Sequence, residues 1–124
     1  MKHAILIVED ETNMRRILEA ILRREGYDTF IAVNGLEAIR ELERHYVSAI
    51  LSDLKMPGMD GLELLREVNL AYPEIPVVII TAHGSIETAV NAMKMGAFDF
   101  ITKPFEQDEI KLVMAKAVRS FDYR

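Results

Sequence analysis

The sequence predicts a doubly wound α/β domain, with five parallel strands in the order 2-1-3-4-5 and five helices around them. Three observations lead there. The apolar runs at 4–8, 47–51 and 77–80 are nearly unbroken in hydrophobicity, as in strands covered by helices on both faces. Short apolar runs and longer amphipathic stretches alternate five times, with no repeat, linker or low-complexity segment between them. The 124 residues suit a single domain, 1–124, with one core. Right-handed crossovers between successive parallel strands then leave few topologies, and 2-1-3-4-5 fits best.

The first strand, Ala4-Ile5-Leu6-Ile7-Val8, runs into Glu9-Asp10. A helix follows from Thr12 to Arg24, with Met14, Ile17, Leu18, Ile21 and Leu22 as its apolar stripe and Gly26 as its C-terminal cap. Residues 27–31 read as a second strand, followed by an Asn34-Gly35 turn. Leu36, Ala38, Ile39 and Leu42 form the stripe of a second helix. The run 47–52 reads as a third strand and leads into Asp53, and Pro57-Gly58-Met59-Asp60-Gly61 marks a loop. A third helix carries Leu62, Leu65 and Val68, and Pro73 and Pro76 fence it from the fourth strand, 77–80. Ser85 is placed to cap a fourth helix bearing Ile86, Ala89, Val90 and Met93, which Gly96 closes. The fifth strand, 98–102, leads into Lys103-Pro104, and a last helix from Gln107 presents Ile110, Val113, Met114, Ala117 and Phe121.

Composition narrows the function classes. The net charge of −5, without a basic stripe interleaved with aromatics, disfavours direct contact with nucleic acid. Cysteine is absent, which rules out a disulfide framework and makes the cytoplasm the natural compartment. The first apolar run stops at Glu9, too soon for a signal-peptide core or a membrane span.

In the predicted topology the ends of strands one and three are neighbours at the switch point, where such sheets bind ligands. Glu9, Asp10 and Asp53 therefore meet at one rim, with Thr81 and Lys103 at the ends of the next two strands. Clustered carboxylates repel, so either a pKa rises or a cation neutralises them. A small set of hard oxygen ligands favours Mg²⁺, which keeps waters and leaves room for phosphate oxygens. Glu9 and Asp10 read as the metal acids. Asp53 is left as the group that could both touch the metal and attack phosphorus, forming an aspartyl phosphate. Lys103 and Thr81 would serve the equatorial oxygens, and the small Ala82 would leave space for the incoming group.

These residues carry a resemblance across essentially the whole chain. Val8-Glu9-Asp10-Glu11, Ser52-Asp53-Leu54-Lys55-Met56-Pro57-Gly58-Met59-Asp60-Gly61, Ile80-Thr81-Ala82 and Thr102-Lys103-Pro104-Phe105 together resemble the bacterial response-regulator receiver domain. The resemblance implies the CheY-like (flavodoxin-like) fold and a phosphorylation switch. Asp53 would be the phosphoacceptor, served by a phosphohistidine on a sensor histidine kinase. Glu9, Asp10, Asp53 and the backbone carbonyl of Lys55 would hold Mg²⁺. Thr81 would be the switch hydroxyl, and Lys103 the phosphate-binding lysine ahead of a cis bond to Pro104. Two positions depart from the commoner pattern. Phe100 stands where Tyr is frequent, so no hydroxyl is available, and Glu9 replaces an Asp, lengthening the metal contact by one methylene.

The resemblance further implies a signalling face over the fourth helix, fifth strand and fifth helix, read by an output domain or by a second copy in a homodimer. That face spans Ser85 to Met95, Phe100 and Ile110 to Phe121. The segment from Ala97 to Phe105 is similar to receivers of NtrC-type transcription activators, which implies control of sigma-54-dependent transcription through an output domain that this chain does not contain.

Rival readings meet specific obstacles. A haloacid-dehalogenase-type phosphatase needs a second Asp two residues after the nucleophile, and Lys55 stands there. A flavodoxin-like FMN binder needs a phosphate loop where Glu9-Asp10-Glu11 would repel phosphate. A phosphate-independent interaction module is disfavoured because every phosphorylation residue is in place. The chain is thus expected to be a phosphoacceptor and not an enzyme proper. His3 and His45 are expected at the surface, and His83 is weighed between a loop residue and a neighbour of the phosphate. Met56 and Met59 are expected to pack the loop after Asp53.

Overall fold

The computed structural model describes residues 2–82 and 86–122. Its elements are β1 (Ala4–Val8), α1 (Thr12–Arg24), β2 (Asp28–Ala32), α2 (Gly35–Arg44), β3 (Ala49–Asp53), α3 (Gly61–Ala71), β4 (Val77–Thr81), α4 (Ile86–Lys94), β5 (Asp99–Thr102) and α5 (Gln107–Asp122). The strands form one sheet in the order β2-β1-β3-β4-β5, and every neighbouring pair is parallel. The predicted fold class and strand order hold.

The unbroken apolar runs follow from burial on both faces. Leu6, Val8, Ile50, Val77 and Ile79 point to one side, against Ala38 and Leu42 of α2, Leu64, Leu65 and Val68 of α3 and Ala92 of α4. Their sequence neighbours Ile5, Ile7, Leu51, Val78 and Ile80 point to the other, against Leu18, Ile21 and Leu22 of α1 and Ile110, Met114 and Ala117 of α5. Successive strand residues thus feed two separate cores, and full burial of each such side chain is worth about 1.5–3 kcal/mol.

Helix ends follow local chemistry. Glu11 caps α1 by accepting from the N–H groups of Asn13 and Met14, at 2.7 and 3.0 Å. Asp60 and Glu63 form a reciprocal capping box at α3. Gly26, at φ 92°, takes the left-handed turn after α1 that other residues resist.

Four expectations are corrected. Tyr27 is not in β2: its N–H still bonds the Leu22 carbonyl of the preceding helix. Asn34-Gly35 is not a free turn, because the Asn34 side chain accepts from Glu37 N–H at 2.8 Å and caps α2. Regular strand begins at Ala49 and at Asp99, so Val47, Ser48 and Phe98 are apolar or paired lead-ins. His3 and His45 are half-buried: the first bonds Ser48 Oγ at 3.0 Å and Asp122 Oδ2 at 3.1 Å, and the second stacks on Phe30 with ring centroids 3.8 Å apart. Met56 is buried and Met59 packs against the α2–α4 core, as expected of the loop they belong to. The proposed Ser85 cap and His83 lie outside the described residues.

Candidate functional site

The C-terminal ends of β1, β3, β4 and β5 deliver the candidate residues to one rim. Glu9 follows β1 directly; its N–H bonds the Ala32 carbonyl at 3.0 Å, the last tie of this segment to β2. Its side chain is 1% exposed. Oε2 accepts from Glu11 N–H at 3.1 Å, whereas Oε1 is buried with no hydrogen-bond partner. Asp10 is exposed. Asp53 closes β3 and is 8% exposed, with Oδ1 accepting from Leu54 N–H at 2.9 Å and Oδ2 3.5 Å from Lys103 Nζ. One carboxylate oxygen from each of Glu9, Asp10 and Asp53 lies within 4.8 Å of the others. All the acids named from the sequence are therefore brought together.

Thr81 closes β4 opposite Thr102 of β5. Its Oγ1 is buried and unpartnered, and its carbonyl accepts from Lys103 N–H at 2.8 Å. That backbone bond anchors the base of Lys103, whose bond to Pro104 is cis. Lys55 lies in the loop after Asp53 with an exposed side chain. Phe100 on β5 is 37% exposed, with Ile86, Val90 and Met93 of α4 and Leu112 of α5 also exposed. Ile110, Met114, Ala117 and Val118 of α5 are buried in the core and do not belong to that face.

Burial dominates the electrostatics. Desolvation raises the Glu9 carboxyl from its ordinary 4.5 to about 7, against the Glu11 N–H, which lowers it; Asp53 adds to the rise and Lys103 opposes it. A carboxylate in this position either keeps its proton or meets a cation. The unpartnered Oε1, beside two further acid oxygens, suits a hard divalent ion such as Mg²⁺.

Several supports escaped the sequence reading. Arg15 Nη1 donates to the carbonyls of Glu9 and Asp10, at 3.0 and 3.4 Å. Ser52 Oγ donates to the Asp53 carbonyl at 2.9 Å. Gly61 N–H bonds the Leu54 carbonyl at 2.7 Å, so close that a Cβ there would lie 2.5 Å from the Asp53 carbonyl oxygen. The one available signal was an arginine near the start of a helix, where the macrodipole disfavours a cation. An apolar cavity of about 560 Å³ between α1 and the β5–α5 connection also opens beside Ala82 and Lys103, lined by Met14, Ile17, Ile21 and Phe105.

Residues 5–115 match the response regulator receiver domain. The chain belongs to that family. As a receiver domain it is a signalling domain and not a catalytic enzyme. It is 45% identical over 115 residues to an NtrX-like response regulator of Rickettsia bellii (strain RML369-C), covering 91% of this chain and 24% of the relative. It is 37% identical over 117 residues to the DNA-binding transcriptional regulator NtrC of Escherichia coli (strain K12), covering 94% of this chain and 25% of that protein. The receiver thus spans about a quarter of the length of these relatives. The receiver domain of NtrX from Brucella abortus superposes with a TM-score of 0.89 at 40% identity, covering 93% of this chain and 98% of that one. Among the described residues no helix is long and apolar enough to cross a membrane.

Proposed function

We propose that this receiver is a cytoplasmic phosphorylation switch in which Asp53 accepts a phosphoryl group from a phosphohistidine of a sensor histidine kinase. The observation that carries the reading is a pair of buried, unpartnered oxygens, Glu9 Oε1 and Thr81 Oγ1, at the rim where Asp53 Oδ2 faces Lys103. Each needs a partner that phosphorylation chemistry supplies.

An Asp53 carboxylate oxygen attacks phosphorus in line as the bond to the donor nitrogen breaks, leaving a mixed acyl phosphate on Asp53 and imidazole on the donor. Glu9, Asp10, Asp53 and the Lys55 carbonyl would hold Mg²⁺, which when bound offsets charge on the phosphoryl oxygens. Lys103, already 3.5 Å from Asp53 Oδ2, pairs with one phosphoryl oxygen. The Thr81 hydroxyl donates to another and gains the hydrogen bond it lacks. Ala82 leaves the approach open, and the apolar cavity beside it gives the donor's carrier a seat.

The phosphoryl group adds roughly −1.5 to −2 charge at a buried position. Thr81 and Lys103 move toward it, Phe100 turns inward into the space left, and the face of α4, β5 and α5 changes shape. A few kcal/mol of differential stabilisation suffices to shift such an equilibrium. A second copy or an output domain reads that face; the output is sigma-54-dependent transcription activation, a reading supported by the relative described as a DNA-binding transcriptional regulator, with this domain itself making no contact with DNA.

Labelling with a small-molecule acyl phosphate and Mg²⁺ tests the site: wild type takes up phosphate and Asp53→Asn does not. Full labelling of Asp53→Asn refutes the assignment. Sizing with and without Mg²⁺ and beryllofluoride tests the switch, and an unchanged size and spectrum count against it.

A further inference from the structure

Arg15 lies within the first four residues of α1, where the helix macrodipole favours anions. Its hydrogen bonds run back out of the helix, to the carbonyl of Glu9 at 3.0 Å and to that of Asp10 at 3.4 Å. We propose that Arg15 is a positioning residue for the metal acids: it clamps the main chain of Glu9 and Asp10 so that both carboxylates face one cation. The inference rests on the reading of the site given above.

The clamp acts where other ties run out. Glu9 is held from three sides, by its N–H on Ala32, by Glu11 N–H on Oε2, and by Arg15 on its carbonyl. These bonds leave Oε1 as the oxygen available to a ligand. Glu11 is in turn fixed by the capping bonds that start α1. Asp10 sits one residue beyond the last bond to β2 and is exposed, so the contact from Arg15 Nη1 to its carbonyl restrains a peptide that the sheet does not. Fixing both carbonyls restrains the backbone dihedrals that set where both side chains leave the main chain. A free loop would have to lose that freedom each time a cation bound. A guanidinium suits the task because its donors are set in a rigid plane, whereas a lysine ammonium is a point donor on a flexible stem.

Calorimetric titration of the chain with Mg²⁺ tests this, using wild type, Arg15→Ala and Arg15→Lys. The Mg²⁺ Kd is expected to rise about tenfold in Arg15→Ala, the low end for removing a group that orients metal ligands, with Arg15→Lys between the two. At Mg²⁺ well above every Kd, labelling by acyl phosphate should stay within about twofold of wild type, since Arg15 reaches no reacting atom. A merely structural role would lower the metal-free thermal midpoint and leave the Mg²⁺ Kd in place. Wild type that binds Mg²⁺ with folded variants that bind it equally well overturns the inference and spares the site. Wild type that binds no Mg²⁺ overturns both. If Arg15→Ala does not fold, Arg15→Lys decides: an unchanged Kd refutes the clamp and a raised one supports it.

Discussion

Replacing Glu9 by Gln tests the burial of one carboxylate together with its interaction with Asp53 and Lys103. In the metal-free protein Glu9 titrates at about 7 instead of 4.5. Between those values the folded state holds a proton that the unfolded chain has released. Stability contributed by this group is therefore complete below 4.5 and is lost as pH rises through about 7. The displacement from 4.5 to about 7 corresponds to roughly 3 kcal/mol of stability lost across that window. A Gln at position 9 fills nearly the same space and does not ionise. The variant should match wild type near pH 4.5 and exceed it by up to about 3 kcal/mol near pH 8, or about 10 °C in thermal midpoint. Urea unfolding followed by circular dichroism in EDTA, at several pH values, measures the difference between the two proteins, in which carboxylates that do not interact with Glu9 cancel. A difference that stays constant from about pH 5 to about pH 8 refutes the argument, because Glu9 would then titrate alike in both states.

Two further substitutions probe the rim. Thr81→Val removes a buried hydroxyl that has no partner, so the unliganded protein should gain about 1 kcal/mol in urea unfolding while its response to beryllofluoride disappears. Gly61→Ala puts a Cβ 2.5 Å from the Asp53 carbonyl and 2.8 Å from Leu54 Cα, both backbone atoms. That change should cost about 2 kcal/mol and slow acyl phosphate labelling, as read by denaturation and by phosphate uptake.

Residue chemistry made the sheet and its rim legible because both depend on what is contiguous in the chain. The runs 4–8 and 77–80 read as two-face strands, and the acids after Val8 and at Asp53 had to meet once the strand order was set. Boundaries failed where a neighbour in space overrode local pattern. Val47 is as buried as a strand residue, yet the regular β3 ladder with β1 begins only at Ala49, opposite Ile5. His3 and His45 seemed exposed because the groups that hold them, Ser48, Asp122 and Phe30, lie far away in sequence. The unpartnered oxygen of Glu9 was equally hidden. No motif reports that Glu11 satisfies one oxygen of a carboxylate and burial strands the other.

The bonds of His3 to Ser48 and Asp122 have a mechanical consequence. They fasten the last turn of α5 to the starts of β1 and β3, whose opposite ends carry Glu9 and Asp53. The two poles are separated by the length of a five-residue strand, about 17 Å. Tension between a partner gripping the acid rim and anything hauling on α5 would therefore run along the strands. A parallel ladder loaded lengthwise resists in shear, many hydrogen bonds at once, where a crosswise pull would peel them one after another. The sheet then behaves as a stiff strut, and a pull at either pole reaches the other with little distortion of the geometry around Asp53.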